Sequence, residues 1–239
     1  MKKDYTLIIE NKIKAILIAI GLIILLLFYQ YIPLLFLSSL GFKFNKLNQL
    51  YKIIYLFIIN IIFIIFLIYL YRKDLKNDFN NLKKKFFKIL GISIIYWLIG
   101  LLFMYISNLI IAVFNNGGIS SNEEAIRELI KRAPVYMLFQ VGIYAPFTEE
   151  IIFRKSIRDA ISNKYLYIVI SGLIFGSMHV LNMGSVSLND LLYIISYGSL
   201  GSVFAALYVK TDNIYSSMLV HAIHNTITFI LLIIYMSVI

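Results

Sequence analysis

From Ile13 to the end of the chain, apolar runs long enough to cross a bilayer follow one another with only short charged segments between them. A bilayer core about 30 Å thick needs about 20 apolar residues per helix. The first run extends from Ile13 to Leu40 with Pro33 inside it, the second from Tyr51 to Tyr71 and the third from about Phe86 to Phe114, where Asn115-Asn116-Gly117-Gly118 breaks it. The fourth runs from about Pro134 through Phe153, its helix continuing to about Ala160. The fifth covers about Tyr165 to Leu181, the sixth about Leu188 to Val209, and the seventh starts at about Ile214. Composition agrees: 61% of residues are hydrophobic and 14% charged, against about half and about a quarter in soluble domains. A typical soluble enzyme, a disordered chain and a coiled coil are excluded. The expected fold is an all-α polytopic transmembrane bundle of seven to eight spans, the eighth arising if the first run splits at Pro33. No internal repeat or long linker interrupts it, so residues 1–239 read as one membrane domain.

The segment from Ser120 to Arg132 is too polar to span. Ile126, Leu129 and Ile130 recur at helical spacing against Arg127, Lys131 and Arg132, so it reads as an amphipathic helix at the membrane surface. Ser121 or Asn122 would cap its start, with Glu123 and Glu124 in the first turn. The N-terminal run is too long for a signal peptide and lacks a small-residue cleavage site, so it reads as a retained helix. With no cysteine, disulfides, iron–sulfur clusters and thiolate zinc sites are excluded.

The net charge of +10 would suggest nucleic acid in a soluble protein. Here the cations lie between apolar runs, so membrane lipids rather than nucleic acid are the expected partners. Sixteen Lys and Arg fall on the side that holds the N-terminus, residues 72–88, residues 154–164 and Lys210, and six on the other. The positive-inside rule then puts the N-terminus in the cytoplasm. The abundance of Ile, Lys and Asn points to an AT-rich bacterium, hence a bacterial cell membrane.

Ionisable residues at membrane depth cost roughly 2.5–3.5 kcal/mol on insertion scales and are functional candidates. They are Glu149 and Glu150 in the fourth span, His179 in the fifth, and His221 and His224, beside Asn225, in the seventh. Residues four apart share a helix face, so Glu150 meets Arg154 in a structural ion pair. Glu149 is rotated about 100° from it and has no local partner, which suits a general base. His221 and Asn225 face one way together, while His224 reads as packing or support. Counted at 1.5 Å per residue from the cytoplasmic ends, Glu149 lies ~14 Å deep, His221 ~10 Å and His179 ~21 Å. His179 fits this common level least well. One chemistry for the set is water activation: Glu149 takes the proton, His179 and His221 orient the water directly or through a metal, and Asn225 donates to the oxyanion. A proton relay is the alternative for a membrane carboxylate, although no repeated pair of broken spans marks a transporter.

At these stretches the chain resembles the CPBP family of intramembrane proteases, which includes the CAAX prenyl endopeptidases and the bacterial Abi, or bacteriocin-processing and self-immunity, proteins. The family pattern is Glu-Glu-x-x-x-Arg, Phe-x-x-x-His and His-x-x-x-Asn/Asp. Glu149, Glu150 and Arg154 match the first, Phe175 and His179 the second, His221 and Asn225 the third. The resemblance covers about residues 130–230. It implies an intramembrane endopeptidase acting on a membrane-associated peptide or protein, with catalytic Glu149, His179, His221 and Asn225. A bound zinc on His179, His221 and Glu149 and a metal-free water site are both compatible with it. A non-catalytic immunity or scaffold protein of the same family is the alternative.

Overall fold

Helices make up the computed structural model, which describes residues 5–114, 120–181 and 188–238, and no strand occurs among the described residues. The Asn115–Gly118 break and two cations of the charge count, Lys2 and Lys3, lie outside the described residues.

The first apolar run divides where Tyr29 and Gln30 turn the chain, giving α1 (Tyr5–Phe28) and α2 (Tyr31–Ser39). Pro33 lies in the first turn of α2, where its missing N–H costs nothing. The second and third runs are joined by helix rather than loop: α3 spans Gln49–Phe114 and leaves helical geometry at Tyr71 and Lys85. The charged stretch between these two kinks is therefore a short helix of its own at one end of the bundle. The polar segment forms α4 (Ser121–Arg132). Its cap is Ser120, one residue earlier than expected, whose hydroxyl accepts from Glu123 N–H at 3.2 Å. Ser120 stands three residues before Glu123, the spacing of a capping box. The apolar stripe of α4 is turned into the bundle rather than toward lipid: Ile130 is buried against Met137 and Phe229, with Ile126 and Leu129 beside it.

Residues 134–160 form one rod. It consists of α5 (Pro134–Phe139), α6 (Ala145–Glu149) and α7 (Ile157–Ala160), joined by π-helical stretches at Gln140–Tyr144 and Glu150–Ser156. Pro146 lacks an N–H and its ring crowds the preceding turn, which accounts for the first slip in hydrogen bonding. Then come α8 (Lys164–Leu181), α9 (Leu188–Thr211) and α10 (Ile214–Val238). Five described helices are long and apolar enough to span: α1, α3, α8, α9 and α10. Because α3 holds two apolar runs and the 134–160 rod adds another, seven crossings result. The chain is a polytopic helical membrane bundle.

Two glycines set how its centre packs. A Cβ on Gly172 would collide with Ser202 Oγ and lie 2.7 Å from the Gly198 carbonyl, and one on Gly176 2.5 Å from the Ile194 carbonyl. The Gly172-x-x-x-Gly176 stripe thus lets α8 meet the backbone of α9, as small residues do in membranes, where lipid offers no hydrophobic drive for helix association. This crossing holds Phe175 and His179 on the side facing the rod. At the cationic end, Asp78 fixes the start of α10: its carboxylate accepts from Ile214 N–H at 2.9 Å, and its carbonyl accepts from Asn213 Nδ2 at 2.7 Å.

Candidate active site

The rod, α8 and α10 bring one carboxylate and two imidazoles to a common point. Glu149 Oε2 lies 4.0 Å from His179 Nε2 and 3.9 Å from His221 Nε2. It is buried and makes no hydrogen bond among the described residues. His179 reaches Glu149 although it stands two residues before the end of α8, so α8 is offset along the rod rather than level with it. That offset is the reason the simple depth count placed His179 too far out.

Each ring is held by its other nitrogen. His179 Nδ1 is 2.9 Å from the carbonyl of Phe175, which can only accept, so Nδ1 carries the hydrogen and Nε2 presents a lone pair. His221 Nδ1 is 2.8 Å from Glu150 Oε1. Glu150 also faces Arg154 Nε at 3.1 Å, with both side chains wholly buried. A carboxylate beside a guanidinium accepts, so His221 Nδ1 donates and its Nε2 likewise presents a lone pair. The expected Glu150–Arg154 pair is thus present, and it does more than neutralise: it orients His221. Arg154 is sandwiched by aromatic rings, 4.4 Å from the Phe175 centroid and 5.8 Å from that of Phe204. Phe175 also packs on His179 at 4.3 Å. His179 also stacks on Tyr197 at 4.9 Å. The Tyr197 hydroxyl is anchored 3.1 Å from both Ser120 Oγ and Asn122 Nδ2 at the start of α4.

Two cavities of about 280 Å³ each flank this centre and share His179 and Asn122. Glu149 opens onto one, with Leu26, Tyr29, Gln30 and Tyr144. His221, His224 and Asn225 open onto the other, among Val141, Phe229 and Leu232. Asn225 therefore shares a cavity with both rings, while Glu149 faces the opposite one. Behind the first cavity, Tyr29 donates to Asn60 Oδ1 at 2.7 Å and Asn60 Nδ2 donates to Tyr136 at 3.1 Å, tying α1 and α3 to the rod. Tyr29, Tyr136 and Tyr197 belong to none of the polar motifs that the sequence marks. Asn60 was the available signal for Tyr29 and Tyr136, since an amide in an apolar run needs a partner.

The donor types around Glu149 are those zinc takes, but their spacing is not. A tetrahedral zinc would set each N···O separation at about 3.4 Å, shorter than the 3.9–4.0 Å found. Among the described residues no group of three His, Asp or Glu is drawn together closely enough to hold a metal ion. A water with legs of about 2.8 Å bridges the same gaps at an angle near 90°.

Residues 131–227 match the family model of the type II CAAX prenyl endopeptidases, Rce1-like. Among curated proteins, the chain is 34% identical over 122 residues to a putative membrane peptidase, YdiL, of Bacillus subtilis, covering 50% of this chain and 46% of the relative. It is 28% identical over 134 residues to the UPF0177 protein YvdC of Lactococcus lactis, covering 54% and 49%. It is 25% identical over 131 residues to the membrane-embedded CAAX protease MroQ of Staphylococcus aureus, covering 51% and 49%. The chain thus spans about half the length of these three relatives. No solved structure matches it significantly.

Proposed function

We propose, from the match of residues 131–227 to the Rce1-like family model of type II CAAX prenyl endopeptidases, that the chain is an intramembrane endopeptidase in which Glu149 activates water against a peptide bond. The observation that carries this reading is the approach of two imidazole lone pairs and one unpaired carboxylate oxygen to within 4.0 Å. A water bound there donates its hydrogens to Glu149 and to a ring nitrogen. Glu149 takes the proton as the oxygen attacks the carbonyl carbon, forming the new C–O bond. Asn225, on the cavity side of both rings, donates to the oxyanion. Collapse of the tetrahedral intermediate breaks the C–N bond, and Glu149 passes its proton to the departing amine. Glu150 and Arg154 hold His221 in the tautomer this requires. Every step uses side chains of this chain and water.

The substrate proposed is a membrane-associated peptide or protein, and the setting a bacterial cell membrane. Glu149→Gln keeps the shape of the side chain and removes its basicity. Loss of general-base catalysis typically costs about 10²–10⁴-fold in rate, so purified Glu149→Gln protein should cleave a membrane-associated test peptide at least about 100-fold more slowly than the parent. Equal cleavage by the two proteins refutes the reading. A cellular phenotype that persists in the Glu149→Gln strain would instead favour a non-catalytic immunity or scaffold role.

A further inference from the structure

The two cavities are lined by segments from one end of the bundle, and the charges mark which end that is. The first is lined by Leu26, Leu27, Tyr29, Gln30 and Tyr31 at the α1–α2 turn, and the second by Ser120, Asn122, Glu123 and Ile126 at α4. These segments share an end: Gln49, at the start of α3, donates to the Arg132 carbonyl at the close of α4, and Tyr55 donates to the Gln30 carbonyl at 2.7 Å. The opposite end is defined equally well. There Lys155 pairs with Asp74 and Asp159, and Asp78 docks the start of α10. No residue of 72–88, 154–164 or 210–214 lines either cavity.

Cations are distributed unevenly between these ends. The Asp78 end and the N-terminal segment carry sixteen Lys and Arg, the α4 end six. Arg154 belongs to the first group by position but is drawn into the bundle by Glu150, leaving fifteen. Such an excess is held on the cytoplasmic side during insertion. At the α4 end Glu123 and Glu128 neutralise part of the charge, pairing with Arg127 and with Lys131 and Arg132.

We propose that the candidate site opens to the extracytoplasmic face, and that it takes an extended peptide segment presented from that face. This rests on the reading of the site as a peptidase, and it fixes the substrate's side of the membrane. An apolar side chain of the peptide enters between Val141, Phe229 and Leu232, while the chain passes His179 and Asn122 into the more polar cavity at Tyr29 and Gln30. A substrate confined to the cytoplasm meets only the closed, cationic end.

The absence of cysteine from the chain allows a direct test by single-cysteine variants and a membrane-impermeant sulfonated maleimide. Lys46→Cys and Lys84→Cys report the two ends, both positions being exposed. Asn122→Cys reports the junction of the cavities, with Thr228→Cys, on the wall of the second cavity, as an independent probe. In intact cells Lys46→Cys and at least one cavity variant should react, and Lys84→Cys should react only after permeabilisation. Cavity cysteines that react only after permeabilisation, together with Lys84→Cys in intact cells, overturn the proposal. So do cavity cysteines that react under neither condition while the end markers behave as expected. Labelling reads no catalysis, so its outcome stands apart from that of the Glu149→Gln experiment.

Discussion

Breaking the Glu150–Arg154 pair should cost more than any other single change at the site. Both side chains are wholly buried, 3.1 Å apart, and the carboxylate also receives His221 Nδ1 at 2.8 Å. Removing one member leaves the other charged with no water to solvate it, a loss of about 3–5 kcal/mol. Arg154→Met keeps most of the aliphatic stem while deleting the guanidinium that lies over Phe175 and Phe204, and Glu150→Gln keeps an acceptor for His221. Each alone should lose about 3–5 kcal/mol, whereas the double variant has no unpaired charge and should lose less than about 2 kcal/mol. The expected coupling is therefore at least about 4 kcal/mol. Equilibrium unfolding of the detergent-solubilised protein, with the four proteins side by side, measures it. A single Arg154→Met variant within about 0.5 kcal/mol of the parent, or losses that simply add, would refute the assignment of this pair as the brace of the centre.

The helix crossing gives a second expectation. A side chain at Gly176 would collide with backbone, 2.5 Å from the Ile194 carbonyl and 2.8 Å from Gly198 N, while Gly91 has nothing within 4 Å of its added carbon. Gly176→Val should lose about 1–3 kcal/mol or more and displace His179, whereas Gly91→Ala should be neutral or stabilising by up to about 1 kcal/mol; thermal unfolding compares them. Asp78 gives a pH dependence. Burial, opposed by the Ile214 N–H, raises its carboxyl above the ordinary 3.8, so the folded state holds this proton more tightly than the unfolded chain does. Its contribution is full below pH 3.8 and is lost as pH rises through the folded value. Asp78→Asn keeps the acceptor without the charge, and should gain stability relative to the parent across that rise; a parallel pH profile for the two would contradict it.

The spans and the three polar motifs were legible because both are local. An apolar run declares its length directly, and Glu150 with Arg154 or His221 with Asn225 are spaced by one helical turn. The hydrogen bond from His221 to Glu150 was not legible, since it joins residues 71 positions apart and no periodicity connects them. The same holds for Tyr197, whose role depends on α4 reaching across to α9. The Gly172-x-x-x-Gly176 stripe was present in the sequence but reveals its partner only when α9 is placed against it. The direction of the α4 stripe was ambiguous for a related reason: an apolar face suits lipid and protein equally, and only packing against Met137 and Phe229 decides. The π-helical slips of the rod lie beyond pattern reading altogether, because apolar spacing hardly changes when one hydrogen bond moves.

The claim on which the functional reading rests is that Glu149, His179 and His221 hold one solvent molecule between them. An experimental density map of the purified protein, at a resolution that shows ordered water, examines it most directly. A peak is expected at about 2.8 Å from Glu149 Oε2 and from at least one of the two Nε2 atoms. A Glu149 carboxylate turned away from the two rings, with no space shared among the three, would contradict it.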